Sequence, residues 1–225
     1  CSDFVARPAT MIPVTGRDGE YFKAIGCRVP VKASAAGVSV MNISQGDEKM
    51  LYPSLFHIGA LDWAPNQEGL LWFFEHCWRE IREMYPFLTF HIAGRNAPSW
   101  MVDKLNIQGV VYHGEVEDAF SFMRSYAVMI VPILSGSGMR VKIAEGMFIG
   151  KAIVSTSIGA EGIEITDGED ILIADNPPDF VNSIVQLLNN RDKLYQISQN
   201  AAKFASENFD MRSIASILAG FYMQQ

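Results

Sequence analysis

The chain has 225 residues, enough for one large or two small domains, and at 49% hydrophobic and 19% charged it carries ample material for a globular core. No apolar run approaches the length of a bilayer-spanning helix. A net charge of -7 argues against the basic surface of a nucleic-acid binder, while leaving room for a local cationic pocket that takes one nucleotide. Cys1, Cys27 and Cys77 have no metal-ligand spacing, and their odd number suits a reducing, cytoplasmic setting better than a disulfide framework. The start at Cys1 reads as a trimmed chain rather than a lipid-modified cysteine, with no signal peptide.

Residues 1–50 look unlike the rest. Gly16–Ile25 suits a helix with Tyr21, Phe22 and Ile25 inward and Gly26 as its cap. Val29–Ala33 suits a short strand, and Ala35–Gln45, small and polar, a linker. From Leu55 onward strands and helices alternate. Leu55–Ile58 is a short apolar strand followed by Gly59. Asp62, Trp63, Pro65 and Asn66 form a loop in which Asn66 is a good helix cap. The next helix carries Leu70, Phe74, Cys77, Trp78 and Ile81 on one face and ends before Pro86. Cys77 on that face reads as a buried thiol. Phe87–Ala93 is a strand, Ser99–Leu105 a short helix, Val110–His113 a third strand, and Glu117–Ser125 a helix with Phe120 and Met123 inward.

Ala127–Ile133 is a continuous apolar run, as a buried parallel strand should be. Ser135, Gly136, Ser137 and Gly138 break the pattern, and a helix from about Met139 to Ile149 follows, ended by Gly150, with Lys151 beside the negative end of its dipole. Val141, Ala144 and Phe148 form its core face. Ala152–Ser155 and Ile171–Ala174 are further strands. The last helices are one with Phe180, Ile184 and Leu187 in its stripe, one over Arg191–Glu207, and Met211–Met223 after the N-cap Asp210. Such alternation makes a parallel sheet covered on both faces, with ligands at the C-terminal ends of its strands.

The candidate site lies at the glycine-rich turn. Free N–H groups at a helix start, together with the dipole, favour an anion, most often a phosphate. Arg140 and Lys142 stand beside that opening. Gly138, Lys142, Glu145 and Ile149 share one helical face, so a cation near phosphate and a carboxylate suited to ribose hydroxyls line the same surface one turn apart. An ordinary surface Lys–Glu pair would give the same spacing. Trp63, Trp72 and Trp78 read as packing residues. His57 and His91 read as strand residues, and none of the four histidines shows ligand or triad spacing. Asp62 alone is weak material for a general base.

The stretch GSGMRVKIAEGMFIGKAIVSTSIGAEGI resembles the donor-binding signature of family 4 (group 1) glycosyltransferases of GT-B architecture, in the subgroup whose motif reads Gly-x-Gly-x-Arg-x-Lys-x-x-Glu-(Ala/Gly)-Met. FHIGALDWAPNQEGLLWFF, FHIAGRN and VYHGEVED resemble the same subgroup's preceding strand ends, so that the likeness runs from about Leu55 to Ala205. Residues 13–38 resemble the last helix and linker of the partner domain. The resemblance implies an α/β fold, a Rossmann-like parallel sheet with helices on both faces. It also implies a division into 1–50, the tail of an N-terminal acceptor domain plus linker, and 51–225, a nucleotide-sugar-binding domain ending in a crossover helix in which Ile214, Ile217, Leu218 and Phe221 cover a partner surface.

The same resemblance implies a retaining transfer from a nucleotide-diphosphate sugar, inactive in this chain alone. It needs no metal and no separate cofactor. Arg140 and Lys142 would contact the donor diphosphate and stabilise the departing charge, and Glu145 would hold the ribose diol. Ser137 stands where the family's first paired glutamate falls, and N–H groups of Gly136, Ser137, Gly138 and Met139 would replace it. His113, Gly114, Glu115 and Val116 would border the base, Arg95 the phosphates, and Gly59 and Asn66 the interdomain cleft. A sugar or lipid-linked acceptor held by the N-terminal domain, and peripheral association of the full-length enzyme with the inner face of a bacterial cell membrane, belong to the same expectation. Two alternatives stand beside it. A nucleotide-sugar epimerase of the same fold would show acid/base carboxylates and histidines in the cleft. A non-catalytic nucleotide-binding α/β module would leave Arg140, Lys142 and Glu145 inert.

Overall fold

The computed structural model describes residues 10–38 and 50–223; Cys1 and most of the expected linker lie outside them. Six parallel strands form one sheet in the order β3-β2-β1-β4-β5-β6. They are β1 (Leu51–Ile58), β2 (Thr89–Ala93), β3 (Val110–Tyr112), β4 (Tyr126–Val131), β5 (Ala152–Ser155) and β6 (Leu172–Ile173). Leu55 pairs with Phe90 on one side and Val128 on the other, and Val131 pairs with Ser155. The apolar runs are buried on both sides because each strand alternates between two cores. Leu55, Phe90, Ile92, Val128 and Ile130 face one core. Into it pack α2 (Ala64–Phe73), α3 (Arg79–Met84), α4 (Ser99–Leu105) and α7 (Pro177–Asn189). Phe56, Met129, Val131 and Ile153 face the other, built with α5 (Ala119–Ser125), α6 (Val141–Phe148) and the second half of α8 (Arg191–Asn208). The order of strands reverses between β1 and β4, where open α/β sheets hold their ligands.

Before the sheet stands α1 (Gly16–Ala24), capped by Thr15, whose hydroxyl accepts from Asp18 N at 3.1 Å. Gly26 at φ +93 closes it. Its expected inward residues are corrected: Tyr21 and Ile25 are exposed, and the face turned to the chain is that of Gly19, against Pro13 and Val31. Val29–Ala33 makes only a bridge, Val31 with Met11. The last helix, α9 (Met211–Met223), starts at Asp210 as expected, with Ser213 N donating to Oδ2 at 3.0 Å. No residue of α9 is buried. No helix among the described residues is long and apolar enough to cross a membrane.

Tertiary contacts moved several other boundaries. Phe87 is 97% exposed and outside β2, which starts at Thr89. The helix after β1 continues through a π-helical turn, Phe74–Trp78, and buries Phe73 where Phe74 was expected. In α6 the core face is Ile143, Ala144 and Met147, and Val141 is exposed. Gly150, at φ +71, does end α6: its N–H reaches Met147 O at 2.9 Å, and Lys151 N reaches Gly146 O at 2.9 Å. Lys151 itself is buried and points to α5, donating to Arg124 O and Tyr126 O. Cys77 is the buried thiol expected; burial first, then Glu80, pushes it up to about 12, so it stays protonated.

At the start of α5, Asp118 Oδ1 accepts from Phe120 N at 2.9 Å and Ser121 N at 3.1 Å. The Ser121 N–H is the main reason this carboxyl sits below its usual range. Asp118→Ala is expected to cost about 1 kcal/mol in urea unfolding. The difference from the unaltered chain should be full above the usual aspartate range and vanish as pH falls through the lowered native value.

Candidate functional site

The glycine-rich turn joins β4 to α6 at the switch point. Gly136 and Gly138 have φ of +96 and +90, a region that L side chains rarely adopt. Arg140 is extended (φ -88, ψ 96), so the helix starts at Val141, two residues later than Met139. The Arg140 side chain explains the delay. It is 6% exposed and folds back on its own turn, donating from Nη1 to Ser137 O at 2.8 Å and to Gly138 O, and from Nη2 to Ser135 O at 3.5 Å. Its guanidinium lies 5.3 Å from the Trp63 ring centroid. Trp63 is thus half exposed at the site rather than core packing. Arg140 Nε is buried without a hydrogen-bond partner. The N-terminus of α6 has no side-chain cap, which leaves N–H donors open there.

Lys142 and Glu145 lie one turn apart on α6, as their spacing indicated. Lys142 Nζ donates to Asn66 Oδ1 at 2.7 Å and lies 3.5 Å from His57 Nε2. Burial, then the charge of Arg140, lowers this ammonium to about 7. Lys142 is half-buried, and it is the burial around its ammonium that counts most in lowering it. Glu145 is half buried, and burial raises its carboxyl. No ion pair or side-chain hydrogen bond links it to Lys142 or any other described residue.

Asn66 does not cap α2. Trp63 is extended (φ -86, ψ 116) and Pro65 lies in the first turn, so the helix begins at Ala64 and Asn66 sits inside it, 3% exposed. Its Nδ2 donates to Ala60 O at 2.8 Å. His57, fully buried in β1, approaches Ile130 O through Nδ1 at 2.9 Å. Sequence spacing alone places neither beside Lys142. A histidine inside an otherwise apolar buried strand was the available signal.

Beside this cluster a cleft of about 190 Å³ opens along the ends of β1, β2 and β3, lined by Gly59, Gly94, Arg95, Glu115 and Val116 among others. The strand-end glycines bring these loops together: Gly94 N donates to Gly114 O at 2.8 Å, and Gly59 N to Ala93 O at 3.1 Å. His113 stands apart from the cleft. Its Nε2 lies 2.9 Å from His91 Nδ1 and 3.4 Å from the Tyr126 hydroxyl. Asp62 accepts from Asn96 Nδ2 at 3.0 Å. Among the described residues no group of three or more His, Cys, Asp and Glu could hold a metal ion.

A family model described as glycosyl transferases group 1 matches residues 52–190. A protein encoded in the cps region of Klebsiella pneumoniae, described as uncharacterized, is 27% identical over 172 residues, 72% of this chain and 44% of that protein. The chain spans less than half the length of the curated relatives it matches. Among solved structures, a variant of S. aureus TarM in complex with fondaparinux, alpha-GlcNAc-glycerol and UDP superposes with a TM-score of 0.75 at 16% identity, over 93% of this chain and 43% of that one. Anabaena HepE in complex with UDP and glucose superposes with a TM-score of 0.72 at 17% identity, over 95% of this chain and 62% of that one.

Proposed function

The chain belongs to the group 1 glycosyltransferases, and from that premise we propose that it forms the donor-binding half of a retaining enzyme, which holds a nucleotide-diphosphate sugar at the junction of β1, β4 and α6. One observation carries the reading. An enclosed cation, Lys142, and an unpaired half-buried carboxylate, Glu145, share one face of α6 beside its uncapped N-terminus, at the switch point of the sheet. UDP bound to HepE and to TarM, proteins of the same fold, supports it.

In this reading the diphosphate lies against Lys142 and the free N–H groups of the glycine-rich turn. They stabilise the negative charge that grows on the leaving nucleoside diphosphate as the glycosidic bond breaks. Arg140 acts through the turn: its hydrogen bonds to the carbonyls of Ser135, Ser137 and Gly138 hold the N–H groups in place, and its charge adds to the local potential. Glu145 accepts from the ribose hydroxyls. The cleft of Gly59, Arg95, Glu115 and Val116 takes the base. A sugar or lipid-linked acceptor would be held by an N-terminal domain of which residues 10–38 are the tail, with α9 crossing to it.

Glu145→Gln separates the parts of this assignment. By calorimetry it is expected to weaken UDP, GDP or ADP, whichever the chain binds, about tenfold, since a charged hydrogen-bond acceptor is lost. Inorganic pyrophosphate, which has no ribose, should bind as before. Equal effects on both, or no effect on the nucleotide, would contradict the ribose role.

A further inference from the structure

We propose that Asn66 and His57 are positioning residues for Lys142, together fixing its ammonium at the switch point with one N–H left for an anion. This rests on the donor-site reading above for the identity of that anion, but the hydrogen bonds that hold the lysine are properties of the chain itself.

The hydrogen-bond roles can be assigned from the neighbours. A carbonyl only accepts, so Asn66 Nδ2 must be the atom donating to Ala60 O, and Asn66 Oδ1 therefore faces Lys142 at 2.7 Å. By the same logic His57 carries its proton on Nδ1, bonded to Ile130 O, and presents the bare Nε2 to Lys142 at 3.5 Å. Burial, then Lys142, holds His57 well below its ordinary range, so the ring remains neutral and keeps that lone pair free. Two acceptors on two different elements thus meet one ammonium whose own helix is a third. Gly59 leaves space for the arrangement: a Cβ there would stand 2.8 Å from Asn66 Nδ2 and 3.1 Å from Lys142 Nζ.

The consequence is a cation poised between charged and neutral. His57 on β1 is neutral, Arg140 on the turn is repulsive, and Glu145 on α6 makes no ion pair with it. An arriving diphosphate would favour the protonated form. Affinity for an anion of fixed charge should therefore be level below pH 7 and fall about tenfold per pH unit above it, until the lysine of the bound state also begins to titrate.

The test follows the Lys142 Cε resonance of the 225-residue chain through a pH titration, in Asn66→Asp and Asn66→Leu as well as the unaltered chain, each without ligand and with UDP. The midpoint should lie near pH 7 in the unaltered chain. Asn66→Asp should raise it by about one unit or more through the added carboxylate, and Asn66→Leu should lower it by removing the acceptor. In Asn66→Asp the loss of UDP affinity should begin at correspondingly higher pH. If the two variants left the midpoint unmoved, or moved it in the same direction, the positioning role would be wrong. If the unaltered chain bound none of UDP, GDP and ADP while the midpoints moved as described, the positioning would stand and the donor-site reading would fail.

Discussion

Replacement of Lys142 by methionine is expected to weaken nucleoside diphosphate binding about a hundredfold, close to 2.7 kcal/mol, without loss of folding stability. Hydrogen bonds to charged groups contribute about 1.5–3 kcal/mol, and the long-range attraction between ammonium and diphosphate in an enclosed site adds to that. Methionine keeps the length and the apolar stem, so packing around α6 is preserved. Stability should hold or rise near neutral pH for a separate reason. Lys142 is lowered to about 7 in the folded chain from an ordinary value of 10.5, so its charge costs stability in full below about pH 7 and less as pH rises towards 10.5, and methionine removes that penalty. Asn66 Oδ1 loses its partner, a smaller cost in the other direction. Binding and stability thus move apart. Calorimetric titration beside thermal unfolding of both chains measures this; loss of affinity accompanied by a matching loss of stability would mean that the lysine serves the fold instead.

Gly94→Ala should act through geometry alone. Gly94 follows β2, and a Cβ at this position would stand 2.1 Å from the carbonyl oxygen of Gly59 and 2.7 Å from Leu61 Cγ. The oxygen is backbone and cannot rotate away as a side chain could. The loops after β1 and β2 would have to separate, disturbing the hydrogen bonds from Gly59 N to Ala93 O and from Gly94 N to Gly114 O. A loss of about 3 kcal/mol in urea unfolding is expected, at the upper end for overpacking. The cleft that should take the base would open as well, so nucleotide affinity falls with it. Stability within 0.5 kcal/mol of the unaltered chain, the usual range for surface substitutions, would show that the two loops are not held together as described.

The sheet was legible because parallel strands buried on both faces are written as apolar runs. FHI, FHIA, AVMIV and AIVS all fall inside strands. Caps were legible where the signal is local: Gly150 and Asp210 need only their own backbone or side chain. The mutual placement of Lys142 and Glu145 followed from helical spacing. What the chain did not disclose depends on contacts between distant segments. Asn66 looks like a cap until Trp63 takes the extended conformation and Lys142, 76 residues later, supplies a partner. Met139 looks helical until Arg140 turns back on the carbonyls before it. Phe87 looks like the start of a strand, yet the turn before Thr89 leaves it in solvent. Trp63 looks like packing, and its place beneath Arg140 is visible only once two loops meet.

The most direct measurement is a set of amide NMR spectra of the chain titrated with UDP, GDP and ADP. One nucleotide should saturate, and its shifts should gather at Gly59, Gly94, Arg95, Glu115, Val116 and the stretch from Ser135 to Glu145, the C-terminal edge of β1 to β4. Saturable shifts centred elsewhere, such as the groove between Tyr52 and Arg191 at the opposite end of β1, or no response to any of the three, would contradict the donor-site reading.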